Sequence, residues 1–278
     1  MSGTLFLCAT PIGNLSDITL RVLDTLRSVD LVAAEDTRVT RKLFAHFDIH
    51  TPLESYHEHN ADEKGPQLVT RLLLGEDIAL VTDAGTPAVS DPGEKLVRLC
   101  IEEEIPVTSL PGPCALITAL TLSGMDARRF VFEGFLPREK KEQKEVLASL
   151  TNETRTVILY EAPHRLKKTL QTLYAALGDR RIALCRELTK KFETVERLSL
   201  SEALEMTEEE ESRGEYVLVL EGRSADEKKA EERAAWEMLS IEEHVALYET
   251  DGYDRKEAMR LAAKDRGISK RDVYNALL

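Results

Sequence analysis

The chain has 278 residues, of which 42% are hydrophobic, and it carries 37 Lys or Arg against 50 Asp or Glu, a net charge of −13. This is the composition of an ordinary globular protein, and the length suits one large domain or two medium ones. Evenly spread acidity would argue against a nucleic-acid ligand, because Lys and Arg that neutralise phosphates supply most of that affinity.

The first 122 residues predict five strand–helix units. Apolar runs at 4–9, 31–34, 53–56, 78–82 and 107–110 alternate with helical patterns at 17–28, 37–47, 61–74, 91–104 and 115–122. A run such as Ile78–Val81, which is apolar throughout, is typical of a strand that is covered on both faces. We therefore predict an α/β domain with a mainly parallel sheet between two layers of helices.

Residues 123–223 predict a second, smaller mixed α/β domain. After the unpatterned segment 124–129, strand patterns occur at 130–136, 156–160, 182–186, 194–198 and 216–221, and helical patterns at 139–150, 163–177 and 201–206. The strands outnumber the helices that could serve as crossovers, so this sheet is predicted to be mixed.

Residues 224–278 predict a short helical C-terminal module. Ser240 followed by Glu243 forms the pattern of a capping box, and Gly267 followed by Ser269 marks the end of one helix and the start of another. The predicted organisation is therefore an N-terminal α/β domain (1–122), a second α/β domain (123–223) and the helical module (224–278).

The charge is unevenly distributed over these parts. Residues 1–120 carry nine basic and 18 acidic side chains, whereas residues 121–200 carry 16 basic and 11 acidic ones. Within the acidic last part, residues 254–272 hold seven Lys or Arg against four acids. A basic middle and a basic C-terminal helix can therefore lie within an acidic protein.

Targeting and metal-binding patterns are not found in the sequence. The apolar start at 5–9 is short and has no basic residue before it, and no run reaches the length of a membrane span. Cys8, Cys100, Cys114 and Cys185 are scattered in apolar contexts without metal-ligand spacing, which is typical of reduced structural cysteines. We expect a cytoplasmic protein with no metal site.

Candidate binding residues follow four of the five predicted strands of the first domain. Thr10–Leu15, Glu35–Arg38, Asp83–Pro87 and Pro111–Cys114 are rich in Gly, Pro or charge. Each of them alone is also what an ordinary turn or helix cap requires. Because ligands of parallel sheets bind at the carboxyl ends of the strands, their convergence favours a binding site. Neither a P-loop nor a Gly-x-Gly-x-x-Gly motif is present, so a nucleoside-containing cofactor held by backbone groups and apolar contacts fits better than a triphosphate.

Together these segments closely resemble the ribosomal RNA small-subunit methyltransferase I family. The resemblance covers the whole chain and rests on the motifs Ala9–Ile18, Ala34–Arg38, Thr82–Gly93, Leu110–Pro113, Tyr160–Arg165 and Lys270–Tyr274. It implies a tetrapyrrole-methylase-like, class III methyltransferase that binds S-adenosylmethionine between two α/β domains and forms a homodimer. The implied reaction is 2′-O-methylation of a cytidine in the 16S ribosomal RNA of the small subunit, at the decoding centre.

The resemblance also implies which residues contact the cofactor. Carried over position by position, they are Pro11, Asp83, Gly85, Thr86, Cys114, Ala115, Ala162 and Leu188. The tetrapyrrole enzymes of the superfamily have Gly-Asp-Pro where this chain has Thr82–Ala84. The resemblance therefore does not define how the backbone contacts the cofactor at these three residues.

Two side chains are predicted to assist the reaction, because a base or a positive charge near the ribose oxygen favours its attack. They are Arg38 and His164, with Glu35, Asp36, Arg165 and Lys190 as further candidates. Arg38 is equally interpretable as an ion-pair partner of Asp36 or Glu35, and His164 as an exposed residue at a helix start.

RNA contacts are predicted for the basic middle and the C-terminal helices, and excluded for the acidic face Glu202–Glu215. Mixed charge of this kind also occurs on solvated helices. A small-molecule methyltransferase of the tetrapyrrole type and a non-catalytic RNA-binding assembly factor remain alternatives.

Overall fold

The structure is a computed structural model that describes residues 2–209, 213–224, 236 and 238–278. Residues 210–212 of the predicted acidic face, and residues 225–235 and 237 of the predicted C-terminal module, lie outside the described residues. Within the described part, two five-stranded sheets are followed by three C-terminal helices.

The first sheet is parallel throughout, with the strand order β3-β2-β4-β1-β5. Its strands are β1 (Leu5–Cys8), β2 (Leu31–Ala34), β3 (Leu53–Ser55), β4 (Ile78–Val81) and β5 (Val107–Leu110). The helices that follow them are α1 (Leu20–Ser28), α2 (Thr37–Phe47), α3 (Ala61–Leu73), α4 (Gly93–Glu102) and α5 (Ala115–Ser123). A 3-10 turn at Leu15–Asp17 precedes α1.

Both faces of this sheet are buried, as the apolar strands predict. Leu5 and Leu7 of β1 face one hydrophobic core, while Cys8 faces the other, because successive side chains of a strand point to opposite sides. Helices cover both cores, so the carboxyl ends of the strands are the part of the sheet left open to a ligand.

The second sheet is mixed, with the order β6-β7-β10-β8-β9. Its strands are β6 (Phe130–Phe135), β7 (Thr156–Glu161), β8 (Arg181–Arg186), β9 (Thr194–Ser199) and β10 (Tyr216–Leu220). Helices α6 (Lys140–Thr151), α7 (Pro163–Leu177) and α8 (Leu200–Glu209) belong to this part. The last strand, β10, inserts between β7 and β8 and is antiparallel to both, so the predicted mixed sheet is confirmed.

Helix α5 connects the two sheets. It follows β5 of the first sheet, yet its buried residues Leu116, Ala119 and Leu120 share a core with Ile158 and Ala183 of the second sheet. The predicted boundary at residue 122 falls at the end of this helix, where Gly124 adopts the left-handed conformation that ends it.

The three tail helices, Ile241–Thr250, Arg255–Arg266 and Lys270–Ala276, pack around a small core of their own. The predicted capping box of Ser240 with Glu243 is present, and Ser269, predicted only as a helix start, forms a second one with Asp272. Gly267 ends the second tail helix with a φ of 64°. In the part of the chain that the structure covers, no helix has the length and apolarity that a bilayer crossing demands.

A buried histidine lies at the centre of the tail. Nδ1 of His244 accepts a hydrogen bond from Nε of Arg266 at 3.0 Å, and Oδ2 of Asp265 lies 3.6 Å from Nε2 of His244. The ring stacks on Trp236 at a centroid distance of 4.0 Å. Burial and the charge of Arg266 lower the pKa of His244 below 6.5, although Asp265 acts in the opposite direction.

We predict that the tail loses stability in acid through His244. A histidine whose pKa is lower in the folded state contributes stability that is complete above its unfolded pKa and is lost as the pH falls below it. Because Trp236 is the single tryptophan of the chain, urea unfolding followed by its fluorescence reports on the tail. The midpoint is expected to be lower at pH 5.5 than at pH 7.5, and this difference is expected to shrink in His244→Gln. His50→Gln, on an exposed histidine, is the control, and an unchanged pH difference in His244→Gln would contradict the prediction.

Candidate active site

Two loops at the carboxyl edge of the first sheet are joined through their backbones. The amide of Thr10 donates to the carbonyl of Gly85 at 2.9 Å, and the amide of Gly85 donates to the carbonyl of Thr10 at 3.0 Å. Gly85 has a φ of 88°, a conformation that residues with a side chain rarely adopt. The loops that follow β1 and β4 are thereby held together.

The loop after β5 is attached to the same edge. Oγ1 of Thr86 donates to the carbonyl of Pro113 at 3.1 Å. Gly112 passes so close to β1 that a Cβ atom on it would lie 2.8 Å from the Cβ of Ala9. The predicted convergence of the strand-end loops is therefore confirmed.

A main cavity of about 480 Å³ lies between this edge and the second sheet. Its apolar lining includes Ile12, Ala115, Leu188 and Val217, and its aromatic lining is Phe135, Tyr160 and Tyr216. Four carboxyl residues, Glu35, Asp83, Glu161 and Glu215, also border it. The cavity thus combines an apolar interior with negative charge and lies within the usual size range of small-molecule sites.

Seven of the eight residues predicted to contact the cofactor line the main cavity. They are Asp83, Gly85, Thr86, Cys114, Ala115, Ala162 and Leu188. Pro11 instead borders a second cavity of about 230 Å³, formed by the loop 10–15, the start of α2 and Thr82–Asp83. Their contacts with a cofactor stay a prediction.

Glu35 and Asp83 link the ends of β2 and β4. Oε2 of Glu35 accepts hydrogen bonds from Oγ1 of Thr82 at 2.6 Å and from the amide of Asp83 at 3.2 Å. Oδ1 of Asp83 in turn accepts from the amide of Asp36 at 3.0 Å. Burial and the charge of Glu35 raise the pKa of Asp83 above its ordinary value. The two carboxyl groups therefore fix the loops and place negative charge at the cavity wall.

Arg38, predicted to be catalytic, forms an ion pair outside both cavities. Its Nη2 lies 2.6 Å from Oδ2 of Asp36, and its side chain is 83% exposed. Hydrogen bonds from Arg38 lower the pKa of Asp36 to about 2. The alternative interpretation of Arg38 as the partner of Asp36 is therefore correct for this structure, and a role in the reaction stays a prediction.

His164 lies in the first turn of α7, exposed to solvent. Its neighbours Ala162 and Pro163 line the main cavity, whereas its own ring does not. His164 is therefore an exposed residue at a helix start, as its alternative interpretation describes, and its catalytic role stays a prediction.

Glu161 is a site residue that the sequence analysis did not single out. Its buried carboxylate accepts hydrogen bonds from the amide of Ala162 at 2.8 Å and from Oγ1 of Thr169, and Nε of Arg165 lies 3.4 Å away. The sequence could have indicated Glu161, because it is an acidic residue at the end of an apolar strand, close to His164 and Arg165. Arg165 also donates to the carbonyl of Leu136 at 2.6 Å, so it connects α7 to the ends of β6 and β7 rather than facing solvent.

Lys190, a further candidate, is held between two carboxylates. Its Nζ lies 2.9 Å from Oε1 of Glu187 and 2.9 Å from Oε2 of Glu215. Oγ1 of Thr189, in the same loop, accepts from the amide of Asn14 at 3.1 Å. This loop of the second domain therefore closes over the loop that follows β1.

Clusters of three or more His, Cys, Asp or Glu side chains that could hold a metal are not found among residues 2–209, 213–224 and 238–278. Cys8, Cys100 and Cys185 are buried, and Cys114 is partly exposed at the main cavity. Burial raises the pKa of the Cys8 thiol to about 12, consistent with the structural role predicted for it.

Solved structures share this architecture. Diphthine synthase superimposes with a TM-score of 0.62 at 14% identity, over 80% of this chain and 91% of that chain. Uroporphyrin-III C-methyltransferase from Thermus thermophilus, in complex with S-adenosylhomocysteine, superimposes with a TM-score of 0.56 at 18% identity, over 79% of this chain and 97% of that chain. At these identities the likeness establishes the fold.

Sequence relatives extend over almost the entire chain. The profile of the Tetrapyrrole (Corrin/Porphyrin) Methylases matches residues 4–204. Proteins named ribosomal RNA small subunit methyltransferase I are 49% identical in Halalkalibacterium halodurans, over 98% of this chain and 94% of the relative, and 49% identical in Bacillus subtilis, over 99% and 94%. The relative of that name in Escherichia coli O157:H7 is 43% identical over 99% of this chain and 95% of its own length. The chain therefore belongs to the tetrapyrrole methylase family and, within it, to the ribosomal RNA small subunit methyltransferase I family.

Proposed function

We propose that this protein transfers a methyl group from S-adenosylmethionine to the ribose 2′-oxygen of a cytidine in 16S ribosomal RNA of the small subunit. The observation that carries this proposal is the 49% identity, over nearly the full chain, to relatives named for methylation of that RNA. The family, the fold and the cavity between the two domains agree with a methyltransferase.

The main cavity fits the proposed cofactor. S-adenosylmethionine carries a positive sulfonium and a positive ammonium group, and Glu35, Asp83 and Glu215 supply negative charge at the lining. Its adenosine part requires apolar surface, which Ala115, Leu188 and others provide. None of the described residues that line the cavity is Lys or Arg, in agreement with a ligand that is not bound through phosphates.

The bound cofactor supplies an electrophilic methyl group on sulfur, together with its leaving group. What remains for the protein is to hold donor and acceptor in line and to exclude water. The backbone bridge between Thr10 and Gly85 fixes the loops that line the site, and the contact of Thr189 with Asn14 covers them from the second domain.

Two exposed Lys side chains that form no ion pair with a described residue favour the tail as an RNA surface. Lys256, Arg260 and Lys264 are spaced by four residues on the second tail helix and therefore share one face. Lys256 and Lys264 are exposed and form no ion pair with another described residue. In the middle part, Lys167 is paired with Glu208, and Lys190 with Glu187 and Glu215. Its exposed Lys140, Lys141 and Lys144 form no ion pair with a described residue, so this part offers a second basic surface.

The alternatives have less support. A small-molecule methyltransferase would not require the tail, which follows the residues that the tetrapyrrole methylase profile covers. A non-catalytic assembly factor would not require a cavity that suits the cofactor. We further propose that the enzyme is a homodimer and acts in the cytoplasm, where its ribosomal substrate is found; sedimentation at equilibrium tests the dimer.

The proposed reaction is tested by incorporation of labelled methyl groups into small subunits and into free 16S RNA, followed by mapping of the modified nucleotide. We expect one modified cytidine, with the label on its ribose. Label on a base, or on a tetrapyrrole but not on RNA, would overturn the assignment.

We predict that Ala162→Phe weakens cofactor binding by at least about tenfold, or about 1.4 kcal/mol. Ala162 lines the main cavity, so a larger side chain there occupies space that the cofactor needs. Calorimetric titration with S-adenosylmethionine measures the effect. Ala175→Phe, on the exposed side of helix α7, which Ala162 precedes, is the matched control. Absence of any binding to the unaltered protein would instead favour the non-catalytic assembly factor.

We predict that Lys256→Glu combined with Lys264→Glu weakens binding to small subunits and reduces its salt dependence. Each phosphate contact that is lost lowers the slope of log K against log salt by about 0.7 to 0.9. Lys64→Glu with Lys95→Glu makes the same change in net charge on the first domain and serves as the control. Equal losses in both double variants would show that total charge, rather than this helix face, governs binding.

A further inference from the structure

The second cavity is separated from the main cavity by a thin wall. Thr82 and Asp83 line both cavities. The wall is fixed from both sides, because Oγ1 of Thr82 donates to Glu35 at 2.6 Å and Oγ1 of Thr10 donates to the carbonyl of Thr82 at 3.1 Å. A ligand in the second cavity therefore lies directly beside one in the main cavity.

The surface of the second cavity is apolar at its rim. Leu15 is 40% exposed and Val39 is 39% exposed, and both border it together with Pro11. These side chains come from two different segments, the loop after β1 and helix α2. They offer a planar ring an apolar contact surface.

Two polar groups of this cavity, on Asp83 and Lys42, remain available to a ligand. The threonine hydroxyl groups are already occupied, because Oγ1 of Thr40 donates to the carbonyl of Asp36 and Oγ1 of Thr10 donates to the carbonyl of Thr82. Oδ2 of Asp83 accepts no hydrogen bond from any described residue, and Lys42, which is exposed, forms no ion pair with one. The cavity therefore offers a carboxylate oxygen that can accept from a ribose hydroxyl, a cation that can pair with a phosphate, and an apolar surface for a base.

We propose that the second cavity binds the nucleotide that is methylated, with its ribose 2′-hydroxyl against Asp83, its base on Leu15 and Val39, and its phosphate near Lys42. This rests on the proposed function. Pro11, assigned above to the cofactor by resemblance, then belongs to the acceptor side of the wall, and Asp83 stands between donor and acceptor.

Asp83 then serves as the proton acceptor. The 2′-oxygen forms the new bond to the methyl carbon, the carbon–sulfur bond breaks with its electron pair remaining on sulfur, and the 2′-proton passes to the carboxylate of Asp83 and from there to water. The charged groups around Asp83 are Glu35, Asp36 and Arg38, and Lys42 lines the same cavity. Burial and Glu35 raise the pKa of Asp83, which makes its ionised form a stronger base.

The position of the acceptor is tested by filling the second cavity with Val39→Trp. We expect affinity for S-adenosylmethionine, measured by calorimetry, to stay within about twofold of the unaltered protein, because the main cavity is untouched. Single-turnover methylation of small subunits prepared from cells lacking the enzyme is expected to fall by at least about 100-fold, since misplacing an acceptor costs that much. Ala45→Trp, exposed on the same helix outside the cavity, is expected to react normally.

Three outcomes would overturn the proposal. Normal methylation by Val39→Trp would show that the acceptor binds elsewhere, while the proposed function would stand. Loss of cofactor affinity in that variant would assign the second cavity to the cofactor. If the unaltered protein binds S-adenosylmethionine but methylates no small subunit, the proposed function fails and this inference falls with it.

Asp83→Asn tests the proton acceptor, because the amide keeps the shape of the side chain and its acceptor oxygen for Asp36. At saturating cofactor we expect the single-turnover rate to fall by about 100-fold, the usual contribution of a general base. The unaltered rate is expected to decline as the pH falls through the raised pKa of Asp83, and the variant is expected to lose this decline. A variant that keeps the same pH profile would overturn the role.

Discussion

The backbone bridge between Thr10 and Gly85 is the contact on which the site depends. A parallel sheet brings the ends of its strands to one edge, but it leaves the loops beyond them free to separate. Two reciprocal hydrogen bonds close the loops after β1 and β4 against each other, and the left-handed φ of Gly85 makes that approach possible. These loops carry residues that line the cavities. Ile12 comes from the loop after β1, and Thr82 and Asp83 come from the loop after β4.

Much of this arrangement follows from local sequence. Helix α2 begins and ends where its pattern predicts. Its start is set by Asp36, whose side chain accepts from the amide of Arg38 and thereby caps the helix. Strand β4 is apolar throughout and is buried on both sides. The strand-end loops could be located because Gly and Pro stand where strands end, and seven of the eight residues carried over from the family resemblance line the main cavity.

What the sequence did not reveal depends on contacts between distant segments. The place of β10 between β7 and β8 is set by pairing over long sequence separations, which no local pattern encodes. Lys190 is a candidate for the reaction in the sequence, but in the structure its Nζ is paired with Glu187 and with Glu215, which is 25 residues away. The second cavity is formed by three separate segments and has no sequence signature.

Helix α5 has a consequence for how the molecule folds. In the chain it follows β5, the last strand of the first sheet. Its residues Leu116 and Leu120, however, are buried against the second sheet, together with Ile12 from the loop after β1 and Val217 from β10. Neither half can therefore complete its hydrophobic surface alone, and a chain cut near residue 122 would expose an apolar helix on one side and a bare sheet face on the other. The two halves are expected to unfold as one cooperative unit, so the cleft between them is part of the folded core rather than a hinge that opens independently.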